Sequence, residues 1–249
     1  MTIKNILVAQ SKPISNSPFN DVAEKYGITV DFQPFFHAKH IDMKEYRAQK
    51  INIPDYTAIV FTSRTAVDSF FEICKGIRYT VPETLKYFCV SEAIALYLQK
   101  YIVYRKRKIF FGTGNQESIL TAIGIKHKAE TFLVTYTDAM KPEFNKLFNK
   151  AHIKHDNIVL VKTVHEDLKK LDLSKYQMFV FYSPSDISSL QENFPDFKQG
   201  EMLFATYGPS TAKAMKTARL KAVAEAPTPE APSVAKAIEL YLGALNASK

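Results

Sequence analysis

Apolar residues in this chain fall into short runs separated by longer amphipathic stretches. Runs rich in β-branched and aromatic residues predict strands at Asn5–Gln10, Thr29–Phe36, Ala58–Thr62, Tyr87–Val90, Lys108–Phe111, Thr131–Thr135, Ile158–Thr163, Met178–Tyr182, Met202–Tyr207 and Lys221–Glu225. Helices are expected over Thr65–Cys74, Glu92–Tyr101, Gln116–Ile123, Pro142–Ala151, Asp186–Phe194, Pro209–Arg219 and Ser233–Leu245. Ala58-Ile59-Val60-Phe61 and Met178-Phe179-Val180-Phe181 have no polar position at all. Strands of that kind belong in sheets covered on both faces. The alternation therefore predicts an α/β fold with doubly wound parallel sheets.

The chain also repeats itself. Tyr56–Glu72 aligns without a gap on Tyr176–Glu192, with identities at Tyr56/Tyr176, Val60/Val180, Phe61/Phe181, Ser63/Ser183, Ser69/Ser189 and Glu72/Glu192. Each copy reads as strand, serine turn and helix, and each precedes a second such unit. Two homologous half-size domains are expected. The proline-rich stretch Ala226–Pro232 cannot be helix interior and reads as an ordered loop. Ser233 is a candidate cap for the last helix, and Ala247-Ser248-Lys249 reads as a frayed end.

Composition narrows the class. The 249 residues suffice for two domains, and 46% hydrophobic residues suffice for their cores. No apolar run is long enough to span a bilayer, and the opening residues read as a strand rather than a signal peptide, so a cytoplasmic protein is expected. Cys74 and Cys89 lie in apolar surroundings and read as buried free thiols. The histidines show no metal-ligand spacing, so no metal is expected. The net charge of +8 favours anionic partners in general.

Candidate chemistry sits at strand ends. Ser63-Arg64 follows Phe61-Thr62, Ser91 follows Val90, Ser183-Pro184-Ser185-Asp186 follows Tyr182, and Gly208-Pro209-Ser210-Thr211 follows Tyr207. Ser183, Pro184 and Asp186 fit a cap, a first helical position and a capping-box acid. Such ends deliver helix N-termini, whose free N–H groups suit carboxylates or phosphates. Gly112-Thr113-Gly114 lacks both the third glycine of a dinucleotide loop and the lysine of a P-loop, and reads as a turn. The run Arg105-Lys106-Arg107-Lys108 reads as a solvated loop, a patch attracting an acidic substrate, or a nucleic-acid patch that lacks any accompanying motif.

These residues resemble the uroporphyrinogen-III synthase family over nearly the whole chain. Ala205–Ala214 followed by Ala222–Thr228 is similar to the family's C-terminal signature, and Phe61–Val67 and Phe181–Ser185 look like its two serine-bearing strand ends. The opening Asn5–Pro13 resembles its first strand and turn, with Gln10-Ser11-Lys12 where many members carry Thr-Arg. The resemblance implies two similar domains joined by two crossing linkers, with a cleft between them. One domain is built from 1–35 plus 172–249 and the other, inserted, from 38–165. It further implies a monomeric enzyme without cofactor that cyclises the linear tetrapyrrole hydroxymethylbilane, losing water and inverting the terminal pyrrole. Neither nucleic acid nor membrane is an expected partner. Carried onto this chain, the substrate-binding residues are Gln10, Ser63, Arg64, Ser91, Thr163, Ser183, Ser185, Tyr207, Gly208 and Thr211. Family members often place a tyrosine two residues before a threonine in the second crossing strand. Here Val161 precedes Thr163, so no catalytic acid is assigned, with Lys162, Tyr182 and Tyr207 as possible substitutes. A non-catalytic binding protein for a small polyanion is the alternative.

Overall fold

The structure is a computed structural model that describes residues 3–139 and 143–247. The expected helix start at Pro142 and the expected frayed end at Ser248-Lys249 lie outside the described residues. The chain divides into two compact units, the first comprising Met1–His37 and Val164–Lys249 and the second Ala38–Thr163.

Strand β1 (Asn5–Val8), helix α1 (Phe19–Tyr26) and β2 (Thr29–Phe32) open the first unit, and β3 (Phe36–His40) carries the chain into the second. There follow α2 (Met43–Ala48), β4 (Ala58–Phe61), α3 (Arg64–Gly76), β5 (Lys86–Cys89), α4 (Glu92–Tyr97), β6 (Ile109–Phe111), α5 (Glu117–Ile123), β7 (Phe132–Thr137) and α6 (Glu143–Lys150). Strand β8 (His155–His165) returns the chain to the first unit, completed by β9 (Met178–Phe181), α7 (Pro184–Asn193), β10 (Leu203–Tyr207), α8 (Pro209–Thr217), β11 (Ala224–Ala226) and α9 (Val234–Ala247).

The sheet of the first unit runs β11-β10-β9-β1-β2 and is parallel throughout. The second sheet runs β3-β8-β7-β4-β5-β6, parallel from β8 to β6. The central strands β9 and β4 are buried along their whole length, and their side chains alternate between two cores. Met178 and Val180 face α1 and α9, whereas Phe179 and Phe181 face α7 and α8. Ile59 and Phe61 face α3 and α4, whereas Ala58 and Val60 face α5 and α6. Helices on both faces of a parallel sheet are the doubly wound arrangement that the apolar runs predict. Among the described residues no helix is long and apolar enough to cross a membrane. Cys74 and Cys89 are buried free thiols, and burial pushes the pKa of each up to about 12.

Several element boundaries differ from those expected. The single strand Thr29–Phe36 is two strands in different sheets, interrupted at Pro34, which has no N–H for the ladder. The helix expected over Glu92–Tyr101 ends at Tyr97 and tightens into a 3-10 turn over Leu98–Lys100. Helices α1 and α2 are additional to the expected set. For α2 the signal is a capping box, in which Asp42 accepts from the Glu45 N–H and Glu45 accepts from the Asp42 N–H.

The two sheets share one spatial order, with β9 corresponding to β4, β10 to β5 and β11 to β6. Strands β1 and β2, at the start of the chain, occupy in the first unit the places that β7 and β8 occupy in the second. Each polar identity of the repeat has the same job in both copies. Tyr56 donates to Asp156 and Tyr176 to Asp31, at 3.0 and 2.9 Å. Ser63 and Ser183 cap α3 and α7. The buried hydroxyl of Ser69 donates to the Leu160 carbonyl and that of Ser189 to the Phe35 carbonyl, each at 2.6 Å. Those two carbonyls also accept from the Ile41 and Glu166 N–H groups, respectively. Glu72 pairs with His40 and Glu192 with His165.

Ser69→Ala and Ser189→Ala should therefore each destabilise their own unit by about 1–3 kcal/mol, the cost of weakening a buried, doubly bonded carbonyl and losing its donor. Hydrogen exchange resolved by unit checks this. Each substitution should raise exchange in its own unit, and comparable loss in both units from one substitution would contradict the equivalence.

Candidate active site

In the first unit, strand order reverses between β9 and β1: the chain leaves β1 toward β2 on one side and β9 toward β10 on the other. Beyond the carboxyl ends of strands at such a switch point, two loops part and leave a crevice. A cavity of about 370 Å³ lies there. Ala9, Gln10 and Ser11, just past β1, form one wall; Tyr182, Ser183 and Asp186, at the start of α7, form another. Pro34 and Phe36 close it from the segment that follows β2. Among the described residues, Asp186 is the one charged side chain in this lining.

Local sequence explains the α7 wall. The β9 strand is fully buried and must hand over to a helix within two residues. Ser183 takes extended backbone and its Oγ accepts from the Ser185 N–H at 3.2 Å, with Pro184 at the first helical position. Oδ2 of Asp186 accepts from the N–H groups of Tyr182 and Ser183, at 2.8 and 2.9 Å. Oδ1 is buried and has no hydrogen-bond partner. The Asp186 residue is wholly inaccessible, and burial raises its carboxyl to about 6 against the pull of the two backbone donors. Burial also pushes the neighbouring Tyr182 phenol up to about 12.

Of the residues expected to bind substrate, Gln10 and Ser183 share this cavity. Ser185 follows in the first turn of α7, and the Tyr207 ring, 38% exposed, tilts against Tyr182 at 5.8 Å. Gly208 has φ +87°, a conformation that glycine adopts readily, and its N–H donates to the Ala226 carbonyl at 2.7 Å. Thr211 is fully buried with its Oγ1 unpartnered in the first turn of α8. The remaining four residues belong to the second unit. Ser63 caps α3 through the Ala66 N–H at 3.1 Å, and the Arg64 guanidinium lies 5.6 Å from the Tyr97 ring centre. Ser91 stands at the cap of α4 without a side-chain capping bond, and the Thr163 N–H donates to Asp138 at 2.8 Å.

Other groups singled out in the sequence are committed elsewhere. Val161 is 1% exposed in the core of the second unit, so this position supplies no acid. Lys162 is ion-paired with Glu45, which raises its pKa. Arg105 and Lys108, from the basic run, both pair with Glu83 at 2.7 and 2.8 Å. Among the described residues no group of His, Cys, Asp and Glu is clustered to hold a metal ion. Asp186 is visible in the sequence only as a capping acid. A further signal is its place shortly after an unbroken apolar strand, where a carboxyl is prone to burial.

A doubly wound α/β unit with a crevice at its switch point defines the class of protein. The uroporphyrinogen-III synthase HemD family model matches residues 17–236, and the chain belongs to that family. The family and fold are those of a cyclising lyase of porphyrin and haem biosynthesis. A mutant uroporphyrinogen III synthase from the extremely thermophilic bacterium Thermus thermophilus is similar in fold, with TM-score 0.59 and 14% identity, covering 98% of this chain and 99% of that one. Uroporphyrinogen-III synthetase from Helicobacter pylori 26695 is similar with TM-score 0.58 and 14% identity, covering 97% and 100%. Comparison with curated protein sequences gives no match.

The raised pKa of Asp186 has a consequence for stability. Folding favours its protonated form, so its contribution is fully present below about 4, the ordinary aspartate value, and is lost as pH rises through about 6. A shift of this size corresponds to about 3 kcal/mol. Asp186→Asn, which keeps an acceptor for the two N–H groups, should thus be more stable than the wild type at pH 8, by up to about 3 kcal/mol. The gain should vanish near pH 4. Denaturant unfolding at the two pH values reads this directly, and a variant less stable at pH 8 than at pH 4, relative to wild type, would sink the prediction.

Proposed function

We propose that this chain converts hydroxymethylbilane to uroporphyrinogen III as a cytoplasmic, monomeric enzyme needing no cofactor, nucleic acid or membrane. The observation that carries this reading is the family match across residues 17–236. The physical setting supports it. Hydroxymethylbilane is a flexible polycarboxylate, and the cavity at the switch point is lined by Gln10, Ser11 and Ser183 at the start of α7, with a net charge of +8 on the chain. We assign substrate contact to Gln10, Ser183, Ser185, Tyr207, Gly208 and Thr211 of the first unit, and to Ser63, Arg64, Ser91 and Thr163 of the second.

Loss of the hydroxyl as water leaves a cationic azafulvene. The substituted carbon of the terminal pyrrole attacks it, and the resulting spiro intermediate opens and recloses with that ring inverted. Water alone yields the uninverted ring, so the protein's work is to hold the terminal pyrrole where attack at the substituted carbon wins. That is a matter of proximity and orientation, driven by contacts to carboxylates remote from the reacting atoms. Purified protein supplied with hydroxymethylbilane should yield the type III isomer after oxidation of the products. Formation of type I alone would overturn the reading.

A further inference from the structure

In the second unit, strand order reverses between β7 and β4, with the chain leaving β7 toward β8 and β4 toward β5. Arg64 begins α3 just beyond the carboxyl end of β4, at the edge of this second switch point. We propose that the Arg64 guanidinium grips a carboxylate of the bound bilane, and that Tyr97 is a positioning residue that keeps the guanidinium free to do so. This rests on the synthase reading above and adds to it the group that holds Arg64 ready.

Three observations carry the assignment. First, the helix does not call for an arginine at its start. The dipole of a helix disfavours a cation at the first position, and no acid stands in the first turn of α3 to offset it. The repeat aligns Arg64 with Pro184, a residue whose fixed φ suits that position, and α7 begins there without any charge. Arg64 is also exposed, so an incoming anion can reach it.

Second, the acid nearest in sequence is committed to other groups. Asp68 follows Arg64 by four residues on α3, the spacing at which a helical ion pair forms. Its carboxylate instead accepts from the Tyr97 hydroxyl at 3.0 and 2.8 Å, from the Tyr101 hydroxyl at 2.5 Å and from Lys100 at 2.8 Å. Among the described residues the Arg64 side chain takes no ion-pair partner. The first unit has Ser188 in place of Asp68, so this arrangement belongs to the second unit alone.

Third, the guanidinium has a seat. It lies over the Tyr97 ring, 5.6 Å from its centre, and the same ring is anchored by its hydroxyl to both oxygens of Asp68. A ring face attracts a cation without supplying an acceptor oxygen, so the N–H groups of Arg64 stay available for a carboxylate. Tyr97 thus acts twice, occupying Asp68 and seating Arg64. A leucine there would do neither, and would let the guanidinium turn to Asp68.

The test is steady-state kinetics on hydroxymethylbilane. Arg64→Gln should raise KM about tenfold with kcat little changed, the pattern of lost uniform binding. Arg64→Lys should resemble Arg64→Gln more than wild type, because a point charge lacks both the fork and the stacking plane. Tyr97→Leu should raise KM about threefold. Tyr97→Phe keeps the ring while Lys100 and Tyr101 still hold Asp68, and should recover most of that loss. Tyr97→Leu added to Arg64→Gln should raise KM no further. An equal rise from Tyr97→Leu in both backgrounds would show a role independent of Arg64 and overturn the proposal. Wild-type KM in Arg64→Gln or Arg64→Lys would do the same, and these exposed substitutions decide the matter even where Tyr97→Leu fails to fold. In each case type III product from the wild type leaves the synthase reading standing, whereas type I product alone would overturn both.

Discussion

One backbone carbonyl in each unit fixes how the chain leaves a sheet. In the first unit it is the Phe35 carbonyl, which takes the Ser189 hydroxyl and the Glu166 N–H; in the second it is the Leu160 carbonyl, which takes the Ser69 hydroxyl and the Ile41 N–H. A carbonyl buried beside a helix must find donors or forfeit about 1–3 kcal/mol. A serine on the helix face that packs against the sheet is the smallest residue able to provide one. The pairs Glu72–His40 and Glu192–His165, three residues further along each helix, lie largely at the surface and add little energy. The buried serine bond is the one that holds the departing strand against its own helix. Pro34 and Phe36, on either side of that carbonyl's residue, line the cavity in the first unit.

With that frame shared, the differences between the copies become informative. Both copies turn from a buried strand into a helix through a serine cap. Only the first places a carboxyl in the turn that follows the cap, at Asp186, where the second has Ala66. A buried acid with its pKa raised to about 6 destabilises the folded chain at neutral pH. The second unit builds the corresponding turn without that cost, with Ala66 in the same place.

Much of this architecture is legible in the residues. Fully apolar Ala58–Phe61 and Met178–Phe181 identify the central strands, because only a sheet covered on both faces tolerates them. The identities Ser69/Ser189 and Glu72/Glu192 mark positions with a shared role, although the role itself is hidden. The serines' partners lie 91 and 154 residues away, a pairing that no local pattern encodes. Strand β3 is hidden for another reason. Its residues, Phe36-His37-Ala38-Lys39-His40, are mostly polar, and its exposed middle gives no alternation to read. Asp186 is legible as a capping acid, but a capping box fixes only the hydrogen bonds to the turn. That the second oxygen is buried without a partner follows from tertiary packing, which the motif does not encode.

Charge shows how the cavity can take a polycarboxylate without a cluster of cations. The basic excess is most visible in the sequence at Arg105–Lys108, yet two of those cations are occupied by Glu83. The cavity wall itself is lined by the polar side chains of Gln10, Ser11 and Ser183. Asp186 is wholly inaccessible behind that surface, so it meets no carboxylate directly, and its ionised form acts on a bound anion only as a nearby like charge.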